Sequence, residues 1–461
     1  MSFKLRFAPL VAGIIAAILD AATAAFPAYA QSPPVSIPAK DFGPVWTGFY
    51  VGGAFGAGGM VNNLSTGGGG ISSSFNGGGG SGVLGSIYGG IDYQILPKAI
   101  VGVLAEATLA SISGTNSASV PGANASVTSQ PNFGWAVLAR AGVLANSSTL
   151  IYLTGGYAGQ NFLTSGTANA GGSTSSFSQS NTFNGWTVGP GVEAMLTRNW
   201  ATKLEYRYSQ FGTQNISGIS ITPSTHALRA GLSYKFGGFG GAPSDDGPAF
   251  NEPAFNWTGF YGGVAAGAGM ATGPVTASAG GASATFTGAG QGLLGGVFIG
   301  ADYQFAPKAL VGVMGDFTWS GLQTSTSIAV PGAGAYAAVS PNQIWSVMGR
   351  LGYLPIRSTL LYAAAGYTGM NVQATGTAYG GGTALFGQGS TNLNGWTVGP
   401  GIETVITGGW TTRLEYRYSQ YEQKQITPGV TAQPSTHTIR LGLAYKFGVG
   451  ADNKSAAEAA E

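Results

Sequence analysis

The stretch WATKLEYRYSQF, Trp200 to Phe211, followed after a polar loop by HALRAGLSYKF, His226 to Phe236, decides how this chain folds. In it Trp200, Thr202, Leu204, Tyr206 and Tyr208 alternate with Ala201, Lys203, Glu205, Arg207 and Ser209. A period of two sustained over about ten residues is a strand with two unlike faces. One face is apolar and aromatic; the other carries Lys203, Glu205 and Arg207. The arrangement suits a barrel in a membrane, with lipid outside and polar side chains inside.

The same stretch returns as WTTRLEYRYSQY and HTIRLGLAYKF between Trp410 and Phe447. WTGFYVGGAFGAG at Trp46 returns at Trp257 as WTGFYGGVAAGAG, and NGWTVGPGVE at Asn184 returns at Asn394 as NGWTVGPGIE. The offset is about 210 residues throughout, so the chain is a duplication. It divides into a signal peptide over 1–30, a Pro-rich periplasmic lead over 31–45, a first barrel repeat over 46–237, a linker over 238–256, a second repeat over 257–448 and a tail over 449–461. The signal reading rests on Lys4 and Arg6 before an apolar run to Leu19, then Ala28-Tyr29-Ala30 as the cleavage site. After it no apolar run is long enough for a membrane helix, so entry into a bilayer requires strands.

Composition narrows the class further. Only 8% of residues are charged, 44% are hydrophobic, 80 are glycine and none is cysteine. Disulfides, thiolate catalysis and zinc-thiolate sites are excluded, and a net charge of +2 gives no footprint for nucleic acid. Each repeat holds eight period-two segments of about 9 to 12 residues, the length of a tilted membrane strand. In the first repeat they centre near Val51, Ile87, Val103, Val137, Leu153, Val188, Leu204 and Leu232. Gly/Ser/Thr/Asn-rich stretches at 57–81, 110–132, 160–182 and 211–225 read as long surface loops, and Leu96-Pro97-Lys98, Asn146-Ser147-Ser148 and Thr197-Arg198-Asn199 as tight turns. The predicted fold is an all-β, antiparallel, up-and-down transmembrane barrel protein. Two tandem eight-stranded barrels are expected, with one sixteen-stranded barrel as the alternative. Each repeat has its own opening strand, closing strand and nearly balanced set of inward charges.

Taking the apolar phase as outward puts Asp92, Glu106, Arg140, Glu193, Lys203, Glu205, Arg207, Arg229 and Lys235 in the first bore. Asp302, Asp316, Arg350, Glu403, Arg413, Glu415, Arg417, Arg440 and Lys446 take the same slots in the second. A basic residue on the lipid face at mid-bilayer would cost about 2–4 kcal/mol, which the pattern avoids. Buried opposite charges in near balance read as a satisfied polar plug, with Tyr50 and Tyr88 filling space beside them. The phase of the strand from Leu150 to Ala158 stays open. Trp46, Tyr93, Trp200, Trp257, Tyr303 and Trp410 read as an interfacial girdle, and Pro190 and Pro400 as ladder gaps.

WTGFYVGG, GWTVGPGVE, EYRY and the closing YKF resemble the alphaproteobacterial small outer-membrane barrels, the surface-antigen and haemin-binding branch of the outer-membrane protein A-like superfamily. The resemblance implies an outer-membrane location and roles such as surface antigen, envelope stabiliser, narrow pore or haemin binder. It further implies that Gly231, Tyr234 and Phe236, with Gly442, Tyr445 and Phe447, act as signals to the barrel-assembly machinery. Two departures stand out: most relatives carry one barrel, and here Gly448 to Glu461 follows the closing signal.

The only histidines, His226 and His437, occupy matching places and are the candidate axial ligands should haemin be a cofactor. Ser224 beside His226 suggests a hydrolytic pair but lacks an evident third member. No metal site and no enzyme activity are expected. The leading expectation is a structural and surface-interaction protein with plugged interiors, whose partners are outer-membrane lipid, the barrel-assembly machinery and an extracellular ligand the sequence does not name. A sixteen-stranded diffusion porin and a haemin-binding surface protein are the alternatives.

Overall fold

The computed structural model describes residues 46–216, 218–236, 255–427 and 429–447. The signal peptide, lead and tail, and the linker up to residue 254, lie outside them. The first repeat forms β1 (Gly48–Gly68), β2 (Ile71–Leu96), β3 (Ala99–Val120), β4 (Ala123–Asn146), β5 (Thr149–Ala170), β6 (Ser173–Met195), β7 (Trp200–Phe211), β8 (Gln214–Ile216) and β9 (Ile219–Lys235). The second forms β10 (Gly259–Ala279), β11 (Ala282–Ala306), β12 (Ala309–Ser320), β13 (Thr324–Val330), β14 (Ala333–Ile356), β15 (Thr359–Gly380), β16 (Thr383–Thr407), β17 (Trp410–Tyr421), β18 (Lys424–Thr427), β19 (Val430–Ala432) and β20 (Ser435–Lys446).

Two rings close separately. In the first, neighbours pair in order from β1 to β7, β7 pairs β9, and β9 returns to β1 through Tyr50↔Lys235 to Ser65↔Ser220. In the second, β12 pairs β14, β17 pairs β20, and β20 returns to β10 through Tyr261↔Lys446 to Thr272↔Ser435. The sixteen-stranded alternative would need the first repeat's closing strand to pair with the second repeat, and it pairs with β1 instead. Outward side chains form the apolar band that only a bilayer solvates: Phe55 is 64% exposed and Val103 55%. Leu150, Tyr152 and Thr154 are buried while Leu153 and Tyr157 are exposed, which fixes the phase of β5. The ladder between β6 and β7 breaks at Pro190, where pairing jumps from Val188↔Tyr208 to Gly191↔Glu205, and it breaks likewise at Pro400.

The stretches expected to be loops are largely strand. β2 runs for 26 residues and β5 for 22, about twice what a bilayer needs, so hairpins stand well above the membrane. Gly69-Gly70, Gly171-Gly172, Gly280-Gly281 and Gly381-Gly382 have positive φ at both turn positions, the geometry of two-residue hairpin turns. A tight turn keeps the ladder in register, and Ser and Thr side chains then bond across it, as Thr115 does with Thr128 at 2.9 Å. The polar composition hid this, because it has no apolar alternation to read. Hairpins of the two barrels also join edge to edge: β13 pairs β2 from Ser325↔Asn76 to Ala329↔Ser72, and β11 pairs β3 at Ser283↔Ser119.

Within the membrane the barrels pack side by side on equivalent faces. Leu204, Tyr206 and Leu228 of one cluster with Leu414, Tyr416 and Ile439 of the other, all nearly inaccessible. Leu204 and Leu414 therefore point outward but pack against the other barrel over most of their surface. Thr149 and Thr359, the same position in the two repeats, share a hydrogen bond of 2.7 Å, as residues beside a two-fold axis do. The symmetry is broken at the other end. Gly59 and Gly79 occupy the places that Met270 and Ala289 occupy in the second repeat, and a Cβ added to either glycine would run into its own counterpart. Here the second repeat supplies the bulk and the first supplies the space.

Candidate functional site in the bores and the seam

Each bore is filled by a charge network whose members come from strands all around its ring. Arg140 on β4 reaches Asp92 on β2 at 3.2 Å and Glu193 on β6 at 2.5 Å. Lys235 on β9 joins the same two acids at 3.3 and 2.8 Å. Further along the axis Glu106 on β3 binds Arg207 on β7 at 3.4 Å and also pairs with Arg229. β3 and β7 are four places apart in a ring of eight, so this pair spans the bore. Glu205 pairs with Arg207, accepts from the Tyr152 hydroxyl at 2.9 Å and lies 3.7 Å from Lys203, whose ammonium sits 3.5 Å above the Tyr88 ring. Gly191 gives the Tyr152 ring room against the wall, where a Cβ would strike it.

The second bore repeats the plan. Arg350 pairs with Asp302 and with Glu403 at 2.8 Å, and Lys446 with Asp302 at 2.7 Å. Asp316 on β12 takes Arg440 at 2.6 Å and pairs with Arg417 from β17, again across the ring. Glu415 pairs with Arg417 and accepts from Tyr362 at 2.6 Å. Arg413, in the slot of Lys203, lies 3.4 Å above the Phe298 ring. The side chains of all these charges are buried. A buried carboxylate without its cation is costly, so networks of this kind hold their members in place.

Trp46 and Trp257 are not girdle residues. They are 2% and 0% exposed, their indole nitrogens donate to Ser147 O at 3.1 Å and Arg357 O at 2.9 Å, and Lys235 and Lys446 lie over their rings. They cap the short-turn end of each bore. Sequence position next to the first strand did not separate cap from girdle, because both need an aromatic at a strand end. Trp200 and Trp410 stay outside, stacked edge-on against Tyr234 and Tyr445 at 5.3 Å. Those tyrosines in turn contact Phe236 and Phe447 at the closing ends, while Gly231 and Gly442 face inward beneath Lys203 and Arg413.

His226 lies well inside β9 and His437 near the start of β20, and both are buried in the seam between the barrels. His226 Nε2 donates to Gln291 of the second repeat at 2.7 Å, and its Nδ1 accepts from the Tyr206 hydroxyl at 2.5 Å. Ser224 also donates to Gln291, at 3.0 Å, so neither residue is arranged to activate the other. His437 bonds Tyr416 at 2.6 Å. Gln291 is a seam residue that reading the sequence missed; its slot holds Ser81 in the first repeat, and that substitution was the available signal.

A family profile for the outer membrane protein beta-barrel domain matches residues 18–236 and again 249–447. The chain belongs to this family, twice over. It is 30% identical over 201 residues to the 22 kDa outer membrane protein of Rhizobium leguminosarum bv. viciae, covering 42% of this chain and 81% of the relative. It is 28% identical over 160 residues to the 31 kDa outer-membrane immunogenic protein of Brucella melitensis biotype 1, covering 34% of this chain and 67% of that one. Among solved structures it is similar to Ail, the attachment invasion locus protein of Yersinia pestis, at 16% identity and a TM-score of 0.22, covering 41% of this chain and 99% of Ail. The protein is an outer-membrane β-barrel protein, and the Rhizobium and Brucella relatives are named as outer-membrane proteins.

Proposed function

We propose that this outer-membrane protein is a non-conducting twin barrel that acts through the surface it raises above the membrane. The observation that carries the reading is the pair of ion pairs spanning the bores, Arg207 with Glu106 at 3.4 Å and Arg417 with Asp316, which leave charged side chains where a porin keeps water. The long hairpins support the outward half of the reading. They are rich in Ser, Thr, Asn and Gly, nearly free of charge, and joined between barrels, so they offer one broad polar β-surface to a partner outside the cell. The name of the Brucella relative, an immunogenic protein, also favours surface exposure. The aromatic closing ends at Tyr234–Phe236 and Tyr445–Phe447 support delivery by the barrel-assembly machinery. Single-channel recording of the full chain in planar bilayers tests the proposal: no steady open level is expected, and a stable porin-like step at neutral pH would refute it.

A further inference from the structure

The seam between the barrels opens toward its short-turn end into a cleft of about 430 Å³. Its wall includes Leu204 and Ala230 of the first barrel and Leu351, Leu361, Ala363 and Ile402 of the second. These positions lie a few residues from the turns, on the outer surface of the strands, so the cleft is in the half of the bilayer nearer the periplasm. Apolar walls with nothing between them lose dispersion contacts, and the molecule at hand to restore them in that leaflet is a lipid chain.

The turns beside the cleft name the headgroup. The turn before β7 carries Arg198 and the turn between β14 and β15 carries Arg357, both exposed. The two-fold relation between the barrels gives each a counterpart across the seam: Gly408 stands where Arg198 would be, and Ser147 where Arg357 would be. Guanidinium groups thus border the cleft on one side of the seam and are missing from the equivalent side. Guanidinium groups at a membrane surface are matched to phosphate.

We propose that this cleft is a binding site for one anionic phospholipid of the periplasmic leaflet, with an acyl chain between the barrels and its phosphate at Arg198 and Arg357. The test is native mass spectrometry of the full-length protein in mild detergent, supplied with phosphatidylglycerol and phosphatidylcholine in equal amounts. One phosphatidylglycerol retained per chain is expected. A230L/A363L fills the cleft with the residues that the opposite repeats already carry, Leu441 and Leu153, and should lose the lipid. R198G/R357S, built on the same logic, should lower retention of phosphatidylglycerol by about tenfold, to the level of phosphatidylcholine. Because each substitution is already tolerated in the companion barrel, heat-modifiable migration on gels should show both variants folded. Equal retention of the two lipids by the parent, or undiminished retention by A230L/A363L, overturns the proposal.

Discussion

A single methyl group tests how the two barrels meet. Gly79 lies where its counterpart Ala289, only 1% exposed, presses in from the second repeat, and a Cβ at Gly79 would overlap the Ala289 side chain and approach Thr272 Oγ1 to 3.1 Å. Gly79 has ordinary strand geometry, so in an isolated barrel Gly79→Ala should stabilise by about 0.5–1 kcal/mol through the backbone. Against Ala289 the same methyl overpacks the seam, at about 1–3 kcal/mol. The sign of the effect therefore separates packed barrels from independent ones. The backbone gain is common to the seam-open and seam-closed states, so overpacking alone shifts that equilibrium, and about 1–2 kcal/mol of it raises the population with the seam open by about 5- to 30-fold. The chain has no cysteine, and Thr149 is fully buried at the far end of the seam, so Thr149→Cys introduces a single thiol as a probe. Alkylation of that thiol by a membrane-permeant maleimide should accelerate by the same factor when Gly79→Ala is added. It should return close to the parent rate with the exchange G79A/A289G, which moves the methyl from one side to the other. Alkylation unchanged or slowed by Gly79→Ala would refute side-by-side packing through this face.

Other expectations follow from the bores and the seam. Arg207→Met leaves Glu106 to Arg229 alone and Glu205 to Lys203 alone and should cost about 3 kcal/mol, read as a lower temperature for the heat-modifiable gel shift. Trp257→Phe keeps the ring over Lys446 but removes the bond to Arg357 O, for a loss of about 0.5–1.5 kcal/mol in the same assay. Thr149→Cys with Thr359→Cys should form a disulfide in the full chain under mild oxidation, and its absence would mean that these equivalent positions do not meet. Haemin added to the folded protein should give the same spectrum with and without H226A/H437A, since both rings are buried between barrels; a band lost only in the variant would restore them as ligands.

Much of the architecture is legible in Trp200–Phe236 and its return at Trp410–Phe447, because period-two alternation with charges on one face has few solutions in a bilayer. Which acids and bases share a bore could be read the same way, since face follows directly from phase. The partners within each bore could not, because Arg207 and Glu106 are brought together by ring closure rather than by spacing. Strand length above the membrane was equally hidden: Ser- and Gly-rich segments carry no apolar phase, and only continued pairing across the Gly-Gly turns extends them.

What the chain determines alone is therefore local and facial: strands, their inward charges, and a duplication that makes two rings possible. Tertiary structure decided what the outward faces meet. Leu204 and Tyr206 read as lipid-facing and His226 as a candidate haemin ligand, and all three become a protein seam because an apolar face is satisfied equally well by a hydrocarbon chain or by another barrel. Nothing in the alternation distinguishes the two, and the distinction came from shape, with Gly59 and Gly79 on one barrel receiving Met270 and Ala289 from the other.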